Sequence, residues 1–207
     1  MPVLGDVDMF KIIAGTHNSH KLGEFRQLLK DQEVEVVGLE DYPDFVEVEE
    51  TGATFKENAE LKALAANLYC DIPAIADDSG LVVEALDGAP GIHSSRYAEN
   101  DGARMEKLLK ELGDNENRRA KFVCALTIAM NGEIIETFIG EVHGVIADAP
   151  RGDQGFGYDP LFIPDGYDKT FGELSADIKD KISHRANAFE LAMEFIEDEM
   201  SCLDDEF

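Results

Sequence analysis

The chain has little positive charge. Its 207 residues include 18 Lys and Arg against 44 Asp and Glu, which gives a formal net charge of -26 at pH 7. A field of this sign repels polyanions, so we expect neither a nucleic-acid polymer nor an anionic membrane surface as a partner. A small anion can still bind where a divalent metal and a few basic side chains meet. The same acidity is typical both of adaptation to high salt and of a well-solvated acidic surface.

Cysteines and long apolar runs are also scarce. Cys70, Cys124 and Cys202 are odd in number, far apart and without the close pairing of a zinc site, so we expect reduced thiols. No apolar run reaches the length of a membrane span, and no basic-then-apolar leader precedes the first predicted strand. We therefore expect a cytoplasmic protein with no membrane partner.

What remains is the composition of a folded protein. Hydrophobic residues make up 44% of the chain and charged residues 30%, which is enough apolar material for a substantial core at this length. There is no internal repeat and no linker long enough to separate independent domains. We therefore predict a single domain spanning 1–207.

The start of the chain predicts a β-α-β unit. "MFKIIAGT" (9–16) is typical of a buried strand, "HKLGEFRQLLKD" (20–31) of a helix with one apolar side, and "VEVVGL" (34–39) of a second strand. Further on, Asn131-Gly132 between two apolar runs is the strongest short hairpin signal and predicts an antiparallel pair. The fold class is therefore α/β, with a long, mixed, twisted sheet flanked by helices.

Other elements follow from periodicity and capping signals. Thr54 and Glu57 have capping-box spacing ahead of a helix whose buried side we predict from Leu61, Leu64 and Leu68. Further helices are predicted over 101–112, where Gly113 ends the pattern, and from about 181 to 200. "LFIP" predicts a short strand.

The stretch "GTHNSHK" (15–21) is a strand end, a small polar turn and a helix start that ends in Lys21. Free backbone N–H groups at a helix N-terminus favour an anion, and Lys21 adds a full charge. It is not a Walker A loop, because His20 precedes the lysine and Leu22 follows it. The pattern fits phosphate binding and also an ordinary turn that contains Asn.

Two acidic clusters stand near predicted element ends. "PAIADD" and "LVVEAL" predict two strands, which places Asp77 and Asp78 at a strand end, where sites in α/β proteins usually form. Adjacent carboxylates repel each other unless a cation lies beside them, and Mg²⁺ suits such oxygen ligands. "DDSG" also fits a plain turn with Asp at its start and Gly at its end. "EVEETG" (47–52) is the second cluster.

Two stretches near the C-terminus could contact a ligand. "GFGYDP" (155–160) combines glycines, which allow a close approach of backbone to ligand, with Phe156 and Tyr158, which could stack on a flat ring. "KDKISHRANA" (179–188) brings Lys179, His184 and Arg185 to a helix start, unusually basic for this chain. A solvated helix end is the alternative for the second stretch.

In order and in spacing, these stretches resemble the inosine/xanthosine triphosphate pyrophosphatase family, whose members hydrolyse non-standard purine nucleoside triphosphates to monophosphate and pyrophosphate. The resemblance covers nearly the whole chain and also includes "EETGATFKENAELKA", "IADDSGLVVEALDGAPGIHSSRYA" and "KTFGEL". It implies two lobes with a central substrate cleft, a nucleoside triphosphate as small-molecule substrate, Mg²⁺ as cofactor and a homodimer. Residues 1–8 and about 199–207 would be extensions.

The resemblance also implies roles for individual residues. Glu49 and Asp78 would bind the metal, with Glu50 as the alternative to Glu49, and Asp78 would orient or deprotonate the attacking water beside Asp77. The phosphates would be held by the residues of the first turn, with Lys62 and Lys179 adding positive charge; these turn residues are Thr16, His17, Asn18, Ser19, His20 and Lys21. His17 departs from the family, which usually has Gly there.

For the base, the resemblance implies hydrogen-bond donors facing the 6-oxygen of hypoxanthine or xanthine, where adenine has an amino group. Ser79 would hold a substrate oxygen. The donors would be His184, Arg185 and backbone N–H groups of the glycine-rich loop, namely those near Phe156, Gly157, Tyr158 and Asp159. The rival functions are a pyrophosphatase for other modified triphosphates, including pyrimidines, a nucleotide sensor without turnover, and a phosphatase with an Asp nucleophile. "DDSG" lacks the Asp-x-Asp spacing of the last.

Overall fold

A computed structural model describes residues 10–32, 34–46 and 48–204, with side chains up to residue 196. The extension predicted at 1–8 and the last three residues, 205–207, lie outside the described residues. Backbone 199–204 continues the final helix. Among the described residues, none of the helices combines the length and apolar character needed to cross a membrane.

Six strands form one mixed sheet in the order β2-β1-β3-β4-β5-β6. β1 pairs in parallel with β2 and β3, and all other pairs are antiparallel. The β-α-β opening and the hairpin at Asn131-Gly132 are thereby confirmed, and both hairpin residues have positive φ (55° and 79°). The strands are β1 Phe10–Ala14, β2 Val34–Gly38, β3 Ala74–Val83, β4 Arg119–Met130, β5 Glu133–Ile146 and β6 Phe162–Pro164.

Helices flank this sheet on both faces, as the α/β prediction requires. The core between the sheet and α1 and α5 includes Phe25, Leu126 and Phe189, whereas α2 packs on the other face through small residues. The helix predicted over 101–112 is confirmed as α3. The helix predicted from about 181 to 200 is α5, which begins at His184, and α4, which ends at Ile182, was not predicted. The helices are α1 Ser19–Leu28, α2 Phe55–Cys70, α3 Asp101–Leu112, α4 Ala176–Ile182 and α5 His184–Asp204.

The buried side of α2 differs from the prediction. Leu61 and Leu68 are exposed, and the face against the sheet instead carries Ala63, Ala66 and Lys62. Small side chains let the helix approach the sheet closely, and the lysine is carried inward on the same face. The amphipathic pattern was misleading here because the larger apolar residues lie on the opposite side.

The paired aspartates lie inside a strand, which corrects the prediction of two strands joined by a turn. β3 is one ten-residue strand, Ala74–Val83, and all ten residues pair with β4. Gly80 does not mark a turn. A Cβ atom there would overlap Gly91 O and Ser94 Oγ, so the glycine lets the short helix Gly91–Arg96 lie directly against the strand.

Candidate active site

The site begins where β1 ends and β3 continues. β1 pairs with β3 at Ile13–Ala74 and Ala14–Ile75, so the rest of β3 runs on beside the turn that leaves β1. Side chains alternate along a strand: Ile75 joins the core against α1 and α5, and Ala76 joins the core against α2. Asp77 and Asp78 therefore enter two different environments.

Asp77 lies among cations on the side of α1 and α5. The side chain is fully buried; its Oδ2 atom accepts from Arg185 Nη2 at 2.9 Å and from Ser79 Oγ at 2.7 Å. Lys21 Nζ lies 3.1 Å from the same oxygen. Burial alone would raise the pKa of Asp77, but Arg185, Lys21 and Lys62 outweigh it and hold the pKa well below its ordinary value. Asp77 is therefore a permanent anion.

Asp78 has a weaker set of partners on the side of α2. Its oxygens accept from Asn58 Nδ2 at 3.1 Å and, more loosely, from Lys62 Nζ at 3.5 Å. Here burial outweighs the attraction of Lys62 and Lys21, so the pKa of Asp78 is raised. Of the two carboxylates, Asp78 is thus the better proton acceptor.

Lys62 joins Asp78 to the second acidic cluster through Glu50. The Lys62 Nζ atom lies 2.8 Å from Glu50 Oε1, and the other Glu50 oxygen is paired with Arg96. Burial would raise the pKa of Glu50, but Lys62 and Arg96 together lower it. Glu49, the first candidate for the metal, is exposed, so the geometry favours its alternative, Glu50.

The turn after β1 is a helix start capped by Asn18, and Lys21 gives it a positive charge. Asn18 caps α1, and its Oδ1 accepts from the backbone N–H groups of His20 (3.0 Å) and Lys21 (3.2 Å). Thr16 is buried and its Oγ1 accepts from Asn18 N at 3.1 Å. The side chains of His17, Ser19 and His20 are exposed. The cap takes up two of the free N–H groups and fixes Lys21 beside Asp77.

Backbone N–H groups of the glycine-rich loop are already hydrogen-bonded within the protein. This corrects the expectation that they are free to donate to the base. Phe156 N donates to Asp159 Oδ2 at 2.9 Å, Gly157 N donates to Asp101 Oδ2 at 2.8 Å, and Asp159 N donates to Phe156 O at 3.2 Å. These three groups are therefore not free for a ligand. The signal that sequence reasoning missed is Asp101, an acidic residue in the first turn of α3.

The two aromatic residues of this loop also differ from each other. Tyr158 is buried and its hydroxyl donates to Ser94 O at 3.0 Å, so it anchors the loop. Phe156 is the residue with ring contacts at the site: it stacks on His20 with ring centroids 5.1 Å apart, and Lys179 Nζ lies 4.7 Å from its centroid.

Glu24 links the cations at this end of the site. Lys179 Nζ lies 2.9 Å from Glu24 and 2.7 Å from Asp159, and Glu24 also pairs with Arg185. Burial would raise the pKa of Glu24, but Arg185 and Lys179 lower it, so it stays charged. Glu24 was missed from the sequence, although it follows Lys21 by three positions and so lies on the same face of α1.

His184 and Arg185 are both buried at the start of α5. The His184 ring stacks on Phe122 at 4.9 Å between centroids. Burial, reinforced by Arg185 and Lys179, places the pKa of His184 well below its ordinary value, so the ring is neutral. Both terminal nitrogens of Arg185 are engaged, Nη2 with Asp77 and Ser79 and Nη1 with Glu24.

Three buried polar side-chain atoms lack a partner among the described residues, and all three belong to this site: Asp77 Oδ1, His184 Nδ1 and Arg185 Nε. Buried polar atoms are nearly always paired in folded proteins. Such atoms together therefore mark a place where a ligand or water completes the hydrogen bonding.

A cavity of about 450 Å³ connects these groups. All the predicted site residues line it except Ser19, Asp77 and Glu49. Lining residues that the sequence did not single out as such are Gly80, Ser94, Ser95, Asp101, Arg104 and Phe122. Its volume and its mixed polar wall suit a nucleotide-sized ligand.

Fold and site thus define an α/β protein with a cation-lined, nucleotide-sized cavity beside a carboxylate pair. The chain belongs to the Ham1 family, whose model matches residues 12–195. It is 45% identical over 194 residues to a dITP/XTP pyrophosphatase of Staphylococcus epidermidis, covering 92% of this chain and 98% of the relative. A dITP/XTP pyrophosphatase of Geobacillus kaustophilus is 49% identical over 185 residues, covering 87% and 91%. These relatives confirm the family resemblance.

Solved structures agree with the fold. The Staphylococcus aureus Ham1 protein superposes with a TM-score of 0.81 at 46% identity, covering 91% of this chain and 99% of the other. A HAM1 protein from Coxiella burnetii superposes with a TM-score of 0.82 at 38% identity, covering 92% and 100%. The mixed sheet with flanking helices is therefore the architecture of the family.

Proposed function

We propose that the protein hydrolyses non-standard purine nucleoside triphosphates (ITP, dITP and XTP) to the monophosphate and pyrophosphate, with Mg²⁺ as cofactor. The observation that carries this proposal is a cavity where a turn with Lys21, the carboxylate of Asp78 and a neutral, buried histidine meet, in a chain whose relatives are named dITP/XTP pyrophosphatases. Its role would be to remove such triphosphates from the nucleotide pool.

The two aspartates would divide the chemistry. Asp78, with its raised pKa, would orient the attacking water and accept its proton. Asp77, held as an anion by Arg185 and Lys21, would fix those cations in place. Neighbouring carboxylates whose pKa values are pushed apart are typical of such a division of roles.

The residues present fit Mg²⁺ that arrives with its nucleotide. Among the described residues there is no group of three His, Cys, Asp or Glu side chains placed to hold a metal, and Mg²⁺ is commonly bound by one or two carboxylates together with substrate phosphates. We assign those carboxylates to Asp78 and Glu50, because both line the cavity and Glu49 does not. When bound, Mg²⁺ would neutralise charge on the phosphates.

Positive side chains would hold the phosphates. Lys21 and Lys62 both line the cavity, where Asp77 would position Lys21 and Glu50 would position Lys62 to face a phosphate. They would face oxygens on which charge develops as pyrophosphate leaves.

The base would be read at the other end of the cavity. Phe156 offers a ring for stacking, and His184 Nδ1 and Arg185 Nε are buried polar atoms without partners in the described residues. The Arg185 Nε–H group can only donate, so it suits the 6-oxygen of hypoxanthine or xanthine, whereas a neutral imidazole can donate or accept. Opposite the 6-amino group of adenine, which is itself a donor, the Nε–H group would stay unpaired, which costs about 1–3 kcal/mol.

A homodimer in the cytoplasm completes the proposal. In the apolar segment "LVVEALDGAPGI" (81–92), Leu81 and Val83 are buried in the core and cannot form a dimer contact. Exposed apolar side chains lie instead on α2 and β5, at Leu68, Ile135 and Ile139. They support self-association through that face, which light scattering tests: a monomer mass at micromolar concentration would contradict the dimer.

The test of the activity is a panel of ITP, dITP, XTP, ATP, GTP and modified pyrimidine triphosphates with Mg²⁺. Pyrophosphate and orthophosphate are measured separately. We expect rapid pyrophosphate release from ITP, dITP and XTP and slow release from ATP and GTP. Release of orthophosphate would contradict the reaction, equal rates on all purines would contradict the specificity, and a preference for pyrimidines would favour the rival pyrophosphatase. Binding without turnover would favour the sensor.

A further inference from the structure

We propose that Arg96 is a positioning residue that holds the Glu50 carboxylate away from free metal ions until a triphosphate enters; this inference rests on the proposed function. Arg96 lies at the end of the short helix Gly91–Arg96, across from the loop that carries Glu50. Its Nη1 atom is paired with Glu50 Oε2, and its Nη2 atom donates to Ile92 O at 3.3 Å. The guanidinium is thus tied to its own helix while it holds the carboxylate.

Both oxygens of Glu50 are taken by cations. Lys62 Nζ lies 2.8 Å from Oε1, and the same ammonium group lies 3.5 Å from Asp78 Oδ1. A positive charge therefore stands between the two carboxylates that we assign to the metal, and a second one lies on the far side of Glu50. Any cation that binds this pair must displace them or share the carboxylates with them.

The position of Arg96 makes it the more easily released of the two. Its side chain is 47% exposed, against 8% for Lys62, and exposed ion pairs contribute little to stability. Free Mg²⁺ brings no anion to receive a displaced guanidinium, whereas Mg²⁺ with a triphosphate brings phosphate oxygens. The arrangement would therefore favour the metal–nucleotide complex over the metal alone.

The test is the binding of Mn²⁺ alone, measured from the free-ion signal in electron paramagnetic resonance. Arg96→Met should bind Mn²⁺ about two- to fivefold more tightly than the wild type, the range that a partly exposed ion pair allows. A purely structural role for Arg96 in fixing the loop predicts the opposite, weaker binding. Arg96→Lys, which keeps the charge, should lie near the wild type.

Lys107→Met is the matched control. Lys107 is 44% exposed and its Nζ atom donates to Tyr97 O, one residue from Arg96, without contacting Glu50. It changes the net charge equally and should leave Mn²⁺ affinity near the wild-type value. In a Glu50→Gln background, Arg96→Met should have no further effect. Equal tightening by both methionine variants, or tightening that survives Glu50→Gln, would overturn the proposal.

If neither the wild type nor Arg96→Met binds Mn²⁺ measurably, the role of Arg96 is tested by the Mg²⁺ concentration that gives half-maximal dITP hydrolysis. It should fall in Arg96→Met, and an unchanged or higher value would overturn the proposal. Where Mn²⁺ binding is measurable but the wild type does not hydrolyse dITP, the result counts against the proposed function, and the Mn²⁺ titrations decide the role of Arg96. A wild type that neither binds Mn²⁺ nor hydrolyses dITP would overturn both proposals.

Discussion

Arg185 and Asp77 form a buried ion pair: Nη2 lies 2.9 Å from Oδ2, and the side chains are 1% and 0% exposed. The sequence assigned Arg185 to the base, but most of its hydrogen-bonding capacity is used by Asp77, Ser79 and Glu24, and only Nε is left without a partner among the described residues. The pair joins β3 to the start of α5 and so orients the base end of the cavity toward the carboxylates.

The first prediction concerns this pair. Asp77→Asn leaves Arg185 buried beside a neutral group and should lower the free energy of unfolding by about 3–5 kcal/mol, measured by urea denaturation at pH 7. Asp165→Asn is the control, because Asp165 forms an exposed pair with Arg119 and should lower it by less than about 1 kcal/mol. Similar losses in both variants would mean that burial adds nothing to the Asp77 pair.

The second prediction concerns the proton acceptor. Asp78→Asn keeps the size of the side chain but removes the charge and replaces one acceptor oxygen with an NH2 donor, and it should reduce the turnover of dITP by about 10²- to 10⁴-fold. Circular dichroism and thermal unfolding should show an intact fold. A variant that keeps more than about a tenth of the wild-type rate would rule out the role that we give to Asp78.

The third prediction separates phosphate from base. Lys21→Ala should raise KM for ITP, XTP, ATP and GTP by a common factor, because Lys21 lies at the carboxylate end of the cavity, beside Asp77. Lys11→Ala, which removes an exposed lysine paired with Glu35, should change none of them. An increase in KM confined to ITP and XTP would mean that Lys21 contacts the base and not the phosphates.

The fourth prediction uses the neutral histidine. The pKa of His184 is depressed in the folded state, mainly because the ring is buried. Below about pH 6.5 the unfolded chain therefore binds a proton at this residue that the folded chain does not, and the free energy of unfolding falls as the pH falls. Between pH 7.5 and 5.5 this contribution is about 1 kcal/mol.

Urea denaturation at the two pH values measures it. The stability of His184→Gln should fall less over this interval than that of the wild type. If His184→Gln and the wild type lose the same stability over this interval, His184 is not held neutral in the folded protein.

Local signals were enough to predict much of the fold. The hairpin at Asn131-Gly132 needs positive φ at both positions, and α3 begins and ends at its capping residues, so a few neighbouring residues were enough to predict both elements. The position of "DDSG" in the middle of a strand could not be predicted from local sequence. Gly80 looks like a turn residue, and only the packing of Gly91–Arg96 against β3, a contact between distant segments, explains why glycine is needed within a strand.

The sequence predicted which residues belong to the site better than it predicted which of them contact each other. Most cavity residues came from recognisable motifs, but the choice between Glu49 and Glu50 depends on which way one loop residue faces. Likewise, Gly157 N is occupied by Asp101 from a different element, and Arg185 reaches back to Asp77 across more than a hundred residues. Partners so far apart in sequence leave no local pattern.

The alternation of Asp77 and Asp78 across β3 also bears on how such a site can change over evolutionary time. Residues of α2 surround one carboxylate, and residues of α1 and α5 surround the other. Uncharged substitutions in one helical layer can therefore change the hydrogen-bond partners of one carboxylate while those of the other stay as they were. Changes at Lys21 or Lys62 cannot be separated in this way, because each of these lysines acts on the pKa of both carboxylates.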